Sequence, residues 1–256
     1  MRLKVLATML ALVATCGVSR SQDAAEDPQT TIDPAALAAL EKMNDYVSGL
    51  DNFQLDTSFS FDLVAGNGQT VTIDGTGKYI AQRPDKLSVK IENDLFARDY
   101  FYDGKTLTVV APEEKYYASH PAKPTIHEML DDAAQKLGVQ IPLADLFDLG
   151  TDKSPIKSIS SAFYVGTGIV NGSEADHYAL QGADRNWEIW IAKGDQPLPV
   201  KVAIVDPTQD TQPRYVSTAK WTVPAVIAAD TFTFTPSADH KSIAFAIGAP
   251  RDEGAQ

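Results

Sequence analysis

A chain of 256 residues with 44% hydrophobic and 22% charged content can bury a sizeable core and is too apolar to stay disordered. Its formal charge of −12 repels phosphate backbones and anionic head groups, which argues against nucleic acid as a partner. There is a single cysteine, Cys16, so no intramolecular disulfide can form, and if Cys16 leaves with a leader, thiol redox chemistry and Cys-ligated metals go with it.

The first residues carry the marks of a secretory leader. Arg2 and Lys4 precede the apolar run Val5–Val18, and Ser19 and Ser21 stand at −3 and −1 of a cleavage after Ser21. The run is shorter than the ~20 residues a membrane span needs, so no transmembrane segment is expected in the mature chain. Val13-Ala14-Thr15-Cys16 is a near miss to a bacterial lipobox, with Thr15 where that motif takes Gly, Ala or Ser. A free periplasmic protein is therefore preferred over a lipoprotein anchored at Cys16. The leader holds Arg2, Lys4 and Arg20 and no acid, so the mature chain is near −15 and has no thiol. The boundaries read as a signal peptide over 1–21, a polar tether over 22–32 and one β domain over 33–256.

Asp33-Pro34 opens a helix, with Asp at the N-cap and Pro at the first helical position. Leu37, Leu40, Met43, Val47 and Leu50 follow at three- and four-residue steps and form one apolar face. From Gln54 to Leu63 apolar or β-branched residues alternate with polar ones without exception, the mark of a half-buried strand. Gly66-Asn67-Gly68 turns the chain into a strand whose inward row is Val71, Ile73, Gly75, Gly77, Tyr79 and Ala81. Leu87, Val89 and Ile91 make the next row. Tyr100 and Tyr102, then Leu107 and Val109, flank the Asp103-Gly104 turn and predict a hairpin. A further strand lies around Lys115–Ser119.

The period then changes. Thr125 and Glu128 fit a capping box, and Ile126, Met129, Leu130, Ala133 and Leu137 form the face of a helix over 126–137 that Gly138 ends. Pro142–Phe147 predicts a second short helix or a 3₁₀ turn. Strands resume at Ala162–Val170, His177–Gln181, Trp187–Ala192, Val200–Asp206, Arg214–Val223 and Thr231–Thr235. About eleven strands with short connections make a curved antiparallel half-barrel, mainly β in class (α+β). Helices at 35–49 and 126–137 are too few for a βαβ fold and are expected as a plug or lid on the concave face.

Several separated segments, in order, carry a resemblance: Asp33-Pro34-x-Ala36-Leu37, Met43 and Tyr46; Tyr102-Asp103-Gly104-Lys105; Tyr116-Tyr117; Pro124-Thr125-Ile126-x-Glu128-Met129-Leu130; and Leu137-Gly138 with Pro142-Leu143-Ala144-Asp145-Leu146. The chain resembles the predicted periplasmic proteins grouped as DUF2092 over nearly its whole mature length. That family is similar in architecture to the LolA/LolB-like outer-membrane lipoprotein carriers, where a curved sheet wraps helices around a cavity for acyl chains. The resemblance implies this fold and an apolar ligand, a lipid or an acyl chain. It supplies no ligand-binding residues.

Catalytic patterns do not survive inspection. Asp176-His177 near Ser173 lacks a G-x-S-x-G elbow, and neighbours in a strand point to opposite faces. His120, His127, His177 and His240 have no zinc-ligand spacing, and Asp131-Asp132 lacks the glycine of a calcium loop. Gly75-Thr76-Gly77-Lys78 has Thr72 and Tyr79 where a phosphate loop takes Gly and Ser/Thr. The expectation is a non-enzyme without cofactor or metal. Aromatics on strands are more often packing than site. If helices and sheet do leave a space, its candidate lining is Leu40, Met43, Val47, Phe59, Phe61, Tyr100, Tyr102, Met129, Leu130, Trp187 and Trp221. The alternative is an envelope protein-interaction or sensor module that binds through a sheet edge or a helix surface.

Overall fold

The computed structural model describes residues 31–183 and 185–245; the expected leader, Cys16 and the tether up to residue 30 lie outside them. Helix α1 (Pro34–Ser48) leads into a meander of β1 (Asn52–Val64), β2 (Thr70–Gln82), β3 (Lys86–Asn93), β4 (Ala97–Tyr102), β5 (Thr106–Ala111) and β6 (Tyr116–Pro121). A helical insert beginning with α2 (Ile126–Asp132) separates it from a second meander of β7 (Ser161–Val170), β8 (Ser173–Gln181), β9 (Asn186–Ala192), β10 (Pro199–Val205) and β11 (Arg214–Thr222). Strand β12 (Lys241–Ser242) follows. The twelve strands form one sheet in the order β12-β6-β5-β4-β3-β2-β1-β11-β10-β9-β8-β7. All neighbours are antiparallel except β12 and β6.

Register follows the alternation in the sequence. Leu55 pairs with Tyr79, Phe59 with Gly75, Tyr79 with Val89 and Val89 with Tyr100, so one face of β1–β4 gathers the apolar rows. The helices cover that face. Met129 and Leu130 of α2 share a buried cluster with Phe53, Tyr79 and Tyr102. Ala36, Leu40, Met43 and Val47 of α1 share another with Tyr178, Leu180, Ile189 and Ile191. Gly75 has a role here: a Cβ on it would stand 2.5 Å from the Phe59 ring, so the glycine lets that ring lie flat on β2.

The local signals act as expected at most points. Asp33 Oδ1 accepts from the Ala35 N–H at 2.8 Å and starts α1. Asp103 Oδ1 accepts from the Lys105 and Thr106 N–H groups, and Gly104 takes φ +96°. Thr125 accepts from the Glu128 N–H at 3.2 Å, and its own hydroxyl donates to the Glu128 carboxylate at 2.8 Å.

Three expectations need correction. The helix over 126–137 is α-helical only to Asp132; Ala133–Leu137 widens into a π turn, with the Gly138 N–H bonded to the Ala133 carbonyl. Thr231–Thr235 is not a strand. Its N–H groups make local turns, Thr231 to Ala228 and Thr233 to Asp230, while Phe234 packs on Phe101 and Tyr117 of the outer face. The terminal ladder forms instead at Lys241–Ser242 beside β6, and the twelve strands fit the expected count of about eleven. Finally, the end of the expected tether is tied down: Ile32 bridges to Ala162, whose carbonyl accepts from the Asp33 N–H at 2.8 Å.

Candidate ligand cavity

The helical insert does not fill the space above the sheet. A cavity of about 740 Å³ lies between α1, α2 with its π turn, the segment Val139–Leu146 and the inner faces of β1, β9, β10 and β11. That volume falls within the ~300–1,000 Å³ of small-molecule sites. Leu40 and Met43 wall it from α1, Leu130 from α2, and Phe59, Phe61, Ile189, Val202 and Trp221 from the sheet. Leu143, at φ +59°, carries the segment across in a left-handed conformation that a side chain with a Cβ rarely adopts.

Eight of the eleven candidate residues border this space: Leu40, Met43, Phe59, Phe61, Tyr100, Leu130, Trp187 and Trp221. Val47, Tyr102 and Met129 are placed elsewhere, fully buried in the packing that holds the helices to the sheet. Ile189, Val202, Ile204, Tyr215 and Ser217, outside that candidate lining, also border the cavity from β9, β10 and β11. Their alternation was visible; which face of the second meander turns inward was not.

The more exposed end is the mouth. Phe61, Asn93, Arg185, Ile204 and Tyr215 are half-buried there and Phe96 is exposed, whereas Leu149, Ile156 and Pro199 close the far end and are buried. At the far end Trp221 donates its indole N–H to the Pro199 carbonyl at 2.8 Å.

Charged side chains around the cavity are engaged with one another. Arg185 pairs with Asp145 at 3.3 Å, and Glu188 is held by His177 at 2.9 Å and Arg214 at 2.7 Å. Three phenols lie within electrostatic reach along the floor. Tyr79 donates to the Pro142 carbonyl at 3.1 Å, and burial, with Tyr215 and Tyr100 adding to it, pushes its phenol well above the ordinary value. Burial pushes Tyr215 up to about 12, an effect tempered by the nearby Ser217 hydroxyl. Since the fold favours the protonated Tyr215 phenol, stability is retained below the ordinary phenol value of about 10 and is lost as pH rises from there through about 12. Alkaline titration followed by tyrosinate absorbance should show these phenols ionising together with unfolding, and ionisation near 10 in a folded chain would contradict their burial.

The residues suspected of chemistry are otherwise occupied. His177 stacks on Trp190 at 3.9 Å with its Nε2 on Glu188, and Asp176 accepts from Thr167 at 2.9 Å and pairs with Lys193. His127 lies between Asp148 and Asp131 on α2. Among the described residues no group of three or more His, Cys, Asp or Glu could hold a metal, and no helix is long and apolar enough to cross a membrane.

The chain is thus a mainly β protein in which a curved antiparallel sheet wraps helices around a half-open apolar space. The sequence profile of DUF2092, described as a predicted periplasmic protein, matches residues 36–246, so the chain belongs to that family. No curated protein matches it in sequence. Among solved structures it is similar to the lipoprotein LppX of Mycobacterium tuberculosis, at 12% identity and TM-score 0.45 over 77% of this chain and all of that one. A LolA superfamily protein of Nitrosomonas europaea aligns at 13% identity and TM-score 0.36 over 78% of this chain and 97% of its own. The MucA/MucB complex of Pseudomonas aeruginosa aligns at 14% and 0.41 over 78% of this chain and 61% of its own. Likeness at this level does not carry chemistry.

Proposed function

We propose that this protein binds the apolar chain of a lipid or lipoprotein in the bacterial envelope and serves as a carrier or sensor for it. It would reach the periplasm through a leader cleaved after Ser21, with a lipid anchor at Cys16 as the less favoured alternative. The supporting observation is the cavity of about 740 Å³, walled mainly by Leu, Ile, Val, Met and aromatic side chains. Filling it removes apolar surface from water at ~25 cal/mol per Å² on both ligand and wall. The ligand would enter at the rim formed by Phe61, Asn93 and Phe96, beside the helical insert.

Residues 22–256, produced in the periplasm and purified without detergent, should release a stoichiometric lipid into organic solvent, identified by mass spectrometry. An empty protein that also fails to take up a fluorescent fatty acid would overturn the reading. One observation favours the protein-interaction alternative. Edge strand β7 exposes Phe163, Tyr164, Val165 and Ile169, each about half exposed or more, a surface suited to strand addition by another chain. A stable envelope-protein complex that dissolves on mutation of these residues, with no lipid extracted, would decide for it.

A further inference from the structure

Two hydroxyls interrupt the apolar wall. Tyr215 and Ser217 stand two residues apart on the inner face of β11, in register with Phe61 and Phe59 of β1 and with Ile204 and Val202 of β10. All six residues line the cavity. Ser217 is 1% exposed, and its Oγ and the Tyr215 Oη are near neighbours that meet no partner in full hydrogen-bonding geometry. A buried hydroxyl left in that state is unfavourable and needs a reason. It could be stripped from the fold at no cost in packing: Ser217 faces Phe59 on one side and Val202 on the other, where alanine would fit as well.

Their depth is informative. Tyr215 stands level with Phe61 and Ile204 at the mouth and Ser217 one step inside it, while Ala219 and Trp221 continue the same row to the closed end. Below them the wall offers apolar contact; at their level two neutral oxygens are buried within the wall itself. The charged groups are also informative. Arg185 is committed to Asp145, and Lys201 lies 4.3 Å over the Trp190 ring. A carboxylate drawn in beside Tyr215 and Ser217 would be desolvated and would have to win Arg185 from Asp145 to gain a cation. The phenol of Tyr215, kept protonated well past neutrality, can donate to a carbonyl or hydroxyl oxygen.

Resting on the reading of the cavity as a lipid site, we propose that Tyr215 and Ser217 form a polar subsite for an uncharged oxygen, an ester carbonyl or an alcohol, on a chain whose apolar part runs inward to Trp221. The ligand class is then a neutral ester or alcohol lipid rather than a free fatty acid. The two hydroxyls supply direction as well as preference, since they fix which end of the chain stays at the mouth.

The test uses four twelve-carbon compounds: dodecane, 1-dodecanol, methyl dodecanoate and dodecanoate, at pH 7.5. Binding is read by displacement of a fluorescent apolar dye and by the emission of Trp187 and Trp221. The alcohol and the ester are expected to bind about tenfold tighter than dodecane, the effect of one neutral hydrogen bond, and dodecanoate no tighter than dodecane. In the Tyr215→Phe/Ser217→Ala variant this advantage should vanish while dodecane affinity stays the same. The ligand-free Ser217→Ala protein should melt at the same temperature or higher, which a structural hydroxyl would not allow. Dodecanoate equal to or tighter than the ester, or an advantage that persists in the double variant, overturns the subsite and leaves the apolar cavity standing. Failure of all four to bind the wild type overturns the cavity reading itself and the subsite with it.

Discussion

Replacement of Val202 by tryptophan is expected to cost at least tenfold in affinity for an apolar dye, or about 1.4 kcal/mol. Val202 is half-buried on the inner face of β10, between Ile189 and Ser217 in register, and borders the cavity. An indole at this position enters open space rather than a packed core, so the change in unfolding free energy should stay within about 1.5 kcal/mol. Dye titration and urea unfolding on the same preparation separate the two effects. Undiminished uptake by a folded Val202→Trp protein would show that ligand binds somewhere other than between β10 and the helices.

Phe53→Ala addresses the other half of the inner face and should cost about 3–5 kcal/mol of stability. Phe53 is fully buried at the start of β1, its ring 6.0 Å from Phe147 of the helical insert and 5.1 Å from Trp221 of β11. It therefore joins three parts of the chain that are distant in sequence. Removing the ring leaves a hole that the two aromatics cannot close without shifting insert and sheet together. With typical domains stable by ~5–15 kcal/mol, the variant should unfold at far lower urea. A loss below about 1 kcal/mol would mean that the insert is held by other contacts, such as the Tyr102 hydroxyl on the Lys123 carbonyl at 2.6 Å.

The parts of the fold legible in the sequence are those set by local chemistry. Gln54–Leu63 alternates without a break because one face of β1 meets helices and the other meets water, and that asymmetry is written at every second residue. Asp33, Asp103-Gly104 and Thr125–Glu128 each satisfy backbone groups within a few residues, so their signals do not depend on the rest of the chain. Thr231–Thr235 misled for the same reason: it has the alternation of a strand, yet its Phe234 serves a surface already built by β4 and β6. The cavity belongs to a different category. Leu40 and Leu130, which border it, look in sequence no different from Val47 and Met129, which do not. A void is a failure of side chains to meet, and no pattern in one strand or helix records what the opposite element omits. Tyr215 and Ser217 left a faint trace, as polar residues in the inward row of β11, a row that ends in Ala219 and Trp221.

The strand order also bears on how the chain reaches this state. Within β1–β6 and within β7–β11, each strand pairs with its neighbour in sequence, so each meander can form by quick local steps. The two meet only at the ladder of β1 with β11, where Ser58 and Thr218 are 160 residues apart. Closing that loop is the slow, entropically costly event of assembly. Until it happens, β1 presents a long unpaired edge, Gln54 to Phe61, with alternating Leu, Thr and Phe side chains. The nascent protein thus passes through an interval in which the strand at the centre of its finished sheet is the one most open to pairing with another copy.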